Sequence, residues 1–481
     1  CLSMSLSIEQ RMHKDKFIRT RISMKKDIYL GQVGMTLLLT FAIVYKAGAQ
    51  EQSRSLTLDL DKAIEIALSE NPTIKVADIE ITRKDYSRKG AIGNLFPTIT
   101  ASGDYSRTLK KQVMYMDMDI PGMDNGMKVV QDNSYSMVFN FQLPIVAPTF
   151  WKNIQLSKAD IEQTLESARA SRLSLVDQVK KAYYNVMMSE DSYQVLKESY
   201  DNACLNAKDF RNKYEHGVAS EYDVLRAEVQ VRTLEPGLLQ AENGVKLSKV
   251  NLKVLLGLDM NIEVTPANKL SDYEADMYEQ ALNIDTSLQN NTNLKQLDLQ
   301  ADYLKKALVV QKMSWYPTLT ATGLYNWTSM SNGPIFKDFR WNPYSMIGLT
   351  LSIPIFQGGS RYYKVKDAQL TVNQMKFRRQ DLVRNLQMQS ISYIDNIQKS
   401  IKQIASNKEG VRQAEKAYSI MQKKFEIGAA TFIEVNDANV ALTNARLSYY
   451  QAIHDYLAAK SDLEQVTGNV DLSKYMKDQQ N

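Results

Sequence analysis

Apolar residues recur at alternating spacings of three and four over two long tracts. The first runs through Leu165, Ala168, Arg172, Leu175, Val179, Ala182, Val186, Ser189, Tyr193, Leu196, Tyr200, Ala203, Ala207, Phe210 and Tyr214, where Arg172 and Ser189 alone are neither apolar nor aromatic. The second runs through Val383, Leu386, Ser390, Tyr393, Ile397, Ser400, Ile404, Asn407, Val411, Ala414, Tyr418, Met421 and Phe425. A seam of this period predicts coiled-coil packing. A helix from Lys152 to Tyr214 is about 95 Å long at 1.5 Å per residue, a rod that no globular core requires. The shorter helices 221–256 and 433–467 are its expected partners. They are stacked end to end with helices 57–92 and 276–313, the first of which starts near Leu56–Leu68.

Four shorter segments alternate with a period of two, the strand signal. In Phe96–Ser106, Thr98, Thr100, Ser102, Asp104 and Ser106 share one side, and Ile99, Ala101, Gly103 and Tyr105 the other. Met137, Phe139, Phe141, Leu143 and Ile145 share a side in the second segment. Leu319, Ala321, Gly323, Tyr325 and Trp327 do so in the third, and Leu349, Leu351, Ile353 and Ile355 in the fourth. The expectation is two hairpins with loops at 108–133 and 329–342.

The two tracts and two hairpins are copies. Asn71–Glu80 matches Asn291–Gln300, and Phe96–Ser106 matches Tyr316–Asn326, both at an offset of 220. Gly217/Gly428, Ala227/Ala438, Ala241/Ala452 and Gly257/Gly468 all stand 211 apart. The chain is a tandem duplication of a helix–hairpin–helix unit. Each copy has a glycine after its long helix, Gly217 or Gly428, where a left-handed residue suits a helix C-terminus. Ser220 with Asp223, and Thr431 with Glu434, then form a capping-box pattern that starts the next helix.

Composition narrows the class. Lys and Arg number 59 against 54 Asp and Glu, but residues 1–49 hold eight of the former and three of the latter, so the rest carries 51 of each sign. A neutral chain of this kind does not predict a nucleic-acid binder. Lys25 and Lys26, the apolar Met35–Tyr45 and the small Ala47–Ala49 form the pattern of a signal peptide cleaved after Ala49. No later segment is apolar enough for a transmembrane helix. Cys204 is the one cysteine beyond the leader, so no internal disulfide is expected. No paired histidines, phosphate loop, nucleophile elbow or cysteine cluster appears. His216 reads as a solvated turn residue and Asp117–Met127 as an exposed loop without the spacing of a calcium hand. Neither enzyme chemistry nor a cofactor or metal is expected.

Four strands cannot close a barrel in lipid, and an open sheet leaves edge amides and carbonyls unpaired there at several kcal/mol each. Both problems disappear if several chains pool their strands: two give eight, three give twelve and room for a pore. Thr98, Thr100, Ser102, Thr318, Thr320 and Thr322 would line that pore. Phe139, Phe141, Leu143, Tyr325, Trp327, Leu351 and Ile353 would face lipid. The alternative is a soluble periplasmic coiled-coil scaffold, which accounts for the heptads but not for apolar hairpins behind an export signal.

The tandem helix–hairpin–helix plan, with "YEHGVASEYDVLRAEV" at Tyr214–Val229 and "FEIGAATFIEVNDANVAL" at Phe425–Leu442, resembles the TolC-like outer membrane efflux proteins over residues 55–470. The resemblance implies a mainly α fold carrying a transmembrane β-barrel. A homotrimer would build a twelve-stranded barrel continuous with a long periplasmic α-helical barrel. It implies a passive conduit of a tripartite efflux pump or type I secretion system in the outer membrane of a Gram-negative cell. The partners implied are a periplasmic adaptor and, through it, an inner-membrane RND or ABC transporter. The expected division is an extended N-terminus with signal peptide (1–49), helical and equatorial part (50–94), first hairpin (95–147) and helical barrel with a tip near 215–222 (148–257). An equatorial linker (258–275), helical barrel (276–314), second hairpin (315–357), helical barrel with a tip near 426–433 (358–468) and C-terminal tail (469–481) follow. The linker and tail are expected to share an equatorial band. In this family two acidic residues narrow the closed end; "IEVNDA" resembles that motif and puts Glu434 first and Asp437 second. The first copy has Asp223 and Arg226 at the matching places. Where the family often carries a basic latch residue after the glycine, this chain has Ala430. The tip turns, with Gly217, Ser220, Asp223, Gly428 and Thr431, are the expected adaptor-docking ends.

Overall fold

A computed structural model describes residues 55–114, 127–275, 277, 287–335 and 340–475. The expected signal peptide lies outside the described residues, as does 117–126 of the aspartate- and methionine-bearing loop and most of the predicted start of helix 276–313. The chain divides into two units. One is residues 1–55 with 261–263, of which Ser55 and 261–263 are described; the other, Leu56–Met260 with Val264–Asn481, carries the elements that matter here.

In chain order the elements are β1 (Ser55–Leu58), α1 (Leu60–Glu70), α2 (Pro72–Gly93), β2 (Thr98–Arg107), β3 (Val113–Met114), β4 (Met127–Lys128) and β5 (Asn133–Val146). There follow α3 (Pro148–Glu215), α4 (Glu221–Leu256), β6 (Glu263–Pro266), α5 (Thr292–Met313), β7 (Thr318–Ser331), β8 (Asn342–Ser352), α6 (Ser360–Glu426) and α7 (Phe432–Thr467). Short 3-10 turns occupy Leu270–Tyr273 and Leu472–Lys474. The long helices have 68 and 67 residues, so each runs for about 100 Å.

The predicted first helix is corrected at its start. Leu56–Leu58 belongs to β1, which pairs with β6, because Leu-Thr-Leu alternates as a strand does and Asp59 caps a new helix. The Asp59 carboxylate accepts the Lys62 amide at 2.7 Å. A second break falls at Asn71–Pro72. Proline has no N–H to give and fits the first helical position, while Asn71 accepts the Thr73 amide at 2.8 Å.

That break is a joint. The Asn71 amide donates to the Leu255 carbonyl at 2.8 Å, so the end of α4 meets the start of α2. In the second copy Asn291 caps α5 and donates to the Val466 carbonyl at 2.6 Å, so α7 meets α5 in the same way. Gly257 and Gly468 end the lower helices with φ of +69° and +70°. A Cβ on Gly468 would lie 2.1 Å from the Asn290 carbonyl oxygen, and one on Gly257 2.8 Å from that of Glu70. Glycine is required twice over there, by backbone conformation and by the space the abutting helix leaves.

Helix α3 packs against α2 and α4 on one side and against α5 and α7 on the other; α6 packs against α5 and α7. The burial follows this order. Leu175, Val179, Ala182, Val186, Ala203 and Phe210 of the predicted seam are buried, and a second buried stripe, Leu173, Val176, Tyr183 and Met187, faces the other partner pair. Helix α6 buries Leu386, Ser390, Ile397, Ser400 and Ile404 but leaves Tyr363, Leu370 and Phe377, seven residues apart, 62–72% exposed. The opposite edge of the layer exposes Val76, Ile79 and Tyr86 on α2 and Tyr222, Leu225 and Val229 on α4. Apolar rows at heptad spacing thus stand uncovered on both outer edges.

The sheet is four-stranded and antiparallel, ordered β2-β5-β7-β8. The third strand runs on to Ser331, beyond the predicted loop start, and the first hairpin loop holds the small β3–β4 ribbon. The fourth strand ends at Ser352, ahead of Pro354, so Ile353 and Ile355 lie past the ladder and not in it. Among the described residues no helix is long and apolar enough to cross a membrane.

Candidate functional site

Residues paired across a ladder share a face of the sheet. Thr98 and Thr100 pair with Gln142 and Asn140, and Ser102 with Val138. Gln142 pairs with Thr322, and Pro144 with Thr320. Thr318 and Thr320 pair with Ser352 and Thr350. The six residues read as pore-lining therefore stand on one polar face, with Val138 and Leu324 as its apolar interruptions.

The other face is apolar. Phe139 pairs with Ala101 and Tyr325, Phe141 with Ile99 and Gly323, Leu143 with Ala321, Met137 with Trp327, and Leu319 with Leu351. Phe139 meets Trp327 edge-on with ring centroids 6.4 Å apart, and Tyr325 meets Trp327 at 5.6 Å. Six of the seven residues read as lipid-facing thus share this face, Ile353 being the exception. Ile347, Leu349 and Leu351 of β8 are 60–91% exposed in the single chain. Such a face has no reason to meet water.

The far ends of the helices carry the two tip turns. Gly217 has φ +74° and Gly428 +75°, with nothing within 4 Å of either Cβ position, so here the left-handed backbone alone selects glycine. The Val218 amide donates back to the Lys213 carbonyl at 2.8 Å, and Ala429 to Lys424 at 2.7 Å. Both turns therefore close their long helix by the same six-to-one bond.

Both capping boxes form. The Ser220 hydroxyl accepts the Asp223 amide at 3.2 Å, and the Asp223 carboxylate accepts the Ser220 amide at 3.2 Å and its hydroxyl at 2.6 Å. The Glu434 carboxylate accepts the Thr431 amide at 2.7 Å and its hydroxyl at 2.9 Å. The amide bond, then the hydroxyl bond, hold the Glu434 carboxyl below its usual pKa. Glu434 is thereby a helix-start residue whatever else it does. Asp437 lies beyond the cap and is exposed, and among the described residues its carboxylate has no hydrogen-bond or ion-pair partner.

Sequence reasoning missed what clamps the two turns together. Phe210 of α3 packs against Phe425 of α6 at 5.9 Å and against Phe432 of α7 at 5.0 Å, over buried Val224 and Ala227. The Lys213 ammonium lies 5.3 Å from the Phe425 ring and 5.8 Å from that of Phe210. The one available signal is a departure from the repeat, since Phe432 stands where the first copy has Glu221. Further up, Arg446 of α7 bonds Glu198 of α3 at 2.9 Å and Glu415 of α6 at 2.8 Å, and the buried Asn439 amide donates to Ser199 at 3.1 Å.

Near the sheet-side half of α3, residues of 258–275 and of the C-terminal tail meet. Asp61 accepts from Lys474 at 2.6 Å and from the Tyr475 hydroxyl at 3.1 Å. A cavity of about 510 Å³ is lined there by Asp61, Asn268, Tyr273, Tyr456, Glu464 and Lys474.

Residues 63–258 and 283–469 match the family model described as outer membrane efflux protein. The chain is 22% identical over 339 residues to outer membrane protein TolC of Vibrio cholerae, covering 69% of this chain and 76% of that protein. It is 22% identical to toxin and drug export protein A of Aggregatibacter actinomycetemcomitans over 84% of each. The solved CmeC outer membrane channel of Campylobacter jejuni superposes with a TM-score of 0.68 at 18% identity, over 87% of this chain and 88% of that one.

Proposed function

The chain belongs to the outer membrane efflux protein family, and we propose that three copies close one conduit from the periplasm to the exterior. One observation carries this reading: the protomer is open on the same two sides in both of its layers. β2 follows α2 by four residues and β8 precedes α6 by seven, so the free sheet edges continue the free helical edges. Pairing β8 of one copy with β2 of the next satisfies the edge groups that lipid penalises. It also seats the exposed row of α6 on the exposed rows of the neighbour's α2 and α4. Such a head-to-tail contact closes as a ring. Three copies give twelve strands.

In that ring Thr98, Thr100, Ser102, Thr318, Thr320 and Thr322 line the lumen, and Phe139, Phe141, Leu143, Tyr325, Trp327 and Leu351 meet lipid. The proposed division of labour is a barrel built from the hairpins 95–147 and 315–357, an equatorial band from 258–275 and the tail, and a periplasmic tunnel from the helices. Glu434 and Asp437 gate its tip, as rings of three carboxylates that favour cations and repel one another. The turns at 211–223 and 422–437 dock a periplasmic adaptor, and through it an inner-membrane RND or ABC transporter. The conduit is passive, and the transporter selects the cargo.

Planar-bilayer recording of the purified protein tests the reading. Discrete, long-lived conducting steps are expected. Glu434→Gln with Asp437→Asn should raise their conductance and lower cation preference. A protein that leaves the bilayer silent removes the conduit, whereas unchanged currents in the double variant remove the gate assignment.

A further inference from the structure

Arg226 and Asp437 stand 211 residues apart, each six residues after the capping residue of its tip turn. Their helices present the same phase, because Val224 and Val435, two residues earlier, are both buried. Two residues are about 200° of helix, so both charges project away from the buried valine. Neither finds a partner. Asp223, one turn before Arg226, is held by Ser220; Glu228, just beyond, bonds Arg211; and Glu434, one turn before Asp437, is held by Thr431. Among the described residues Arg226 and Asp437 make no ion pair, with each other or with any other group. Two unpaired charges of opposite sign occupy equivalent places in the two copies.

We propose that Arg226 of each protomer pairs with Asp437 of its neighbour when the tip is closed, so that Arg226 is a gate residue. This rests on the trimeric conduit and deepens its gate. Three chains bring six equivalent helix starts to one level, and the duplication makes them alternate, basic and acidic, around the axis. Within a chain the two do not meet, so the unsatisfied side of each faces the next protomer. The level is then neutral and self-attracting when narrow, where opposite charges approach with water excluded. The acidic character of the tip falls to the ring one turn nearer the end, built from Asp223 and Glu434.

The test is charge exchange in trimers reconstituted in planar bilayers. Arg226→Glu is expected to raise conductance severalfold and to shift selectivity toward cations. Asp437→Arg is expected to raise conductance and shift selectivity toward anions. Arg226→Glu with Asp437→Arg is expected to restore the low-conductance state. Wild-type conductance in Arg226→Glu, or no restoration in the exchange, overturns the pairing. Arg226→Cys with Asp437→Cys, in a Cys204→Ser background, adds a readout independent of conductance. A short bis-maleimide should link chains into dimers and trimers on denaturing gels, and linkage confined within one chain, or none, overturns it. A protein that is not trimeric removes the conduit itself; conducting trimers indifferent to these changes remove the pairing alone.

Discussion

Asn71 and Leu255 are joined across the abutting ends of α2 and α4, the side-chain amide of one donating to the carbonyl of the other at 2.8 Å. The same Asn71 oxygen caps α2 through Thr73. Asn71→Ala removes both bonds at a site only 6% exposed, with an expected loss of about 1–3 kcal/mol. Asn71→Asp keeps the cap but puts a carboxylate against a carbonyl, and is expected to cost more. Asn291→Ala should repeat the effect of Asn71→Ala, since Asn291 does the same for α5 and Val466. Thermal unfolding in detergent, followed by circular dichroism, reads all three.

The helix-ending glycines should rank by the room around them. All four have φ between +69° and +75°, so alanine costs about 1–2 kcal/mol at each from backbone alone. Gly468→Ala adds a contact at 2.1 Å and Gly257→Ala one at 2.8 Å, while Gly217→Ala and Gly428→Ala add none. The expected order of lost thermal stability is Gly468, then Gly257, then the two tip glycines together. Equal losses at all four would show that the joints yield freely.

The tip should loosen in acid. The Glu434 carboxyl is held below its unfolded value of 4.5 by the Thr431 amide and hydroxyl. A lowered carboxyl stabilises the folded form above the unfolded pKa and ceases to do so as pH falls through the folded pKa. Amide exchange at Thr431–Val435 is therefore expected to be slow above about pH 5 and to accelerate below pH 4.5. Glu434→Gln should exchange faster at neutral pH and lose that dependence.

The two sheet faces should respond oppositely to charge. Phe141→Lys places an ammonium on the apolar face and is expected to cost about 2–4 kcal/mol of barrel stability if it lies near the bilayer midplane. Thr322→Lys, on the polar face, is expected to assemble normally and to shift ion selectivity toward anions. Heat-resistant oligomer on gels measures the first, reversal potential the second.

Much of this architecture is legible in the residues. The heptads of Val179–Phe210 announce the rods, period-two runs announce the sheet, and Asn71/Asn291 with Gly257/Gly468 announce the joints. What local pattern does not carry is how many partners an element has. The buried stripe of Leu173, Val176, Tyr183 and Met187 exists because α3 lies between two helix pairs, whereas α6 needs one stripe. Leu56–Leu58 reads equally as helix or strand until β6, some 200 residues on, supplies its pair. The Phe210–Phe425–Phe432 clamp joins three elements distant in sequence, and no periodicity records such a meeting.

The completion of an unfinished sheet by neighbouring copies is tested most directly by the mass of the detergent-extracted complex, with bound detergent subtracted. Three chains of the mature polypeptide per particle are expected. A single chain that stays dispersed in water once detergent is withdrawn would contradict the account.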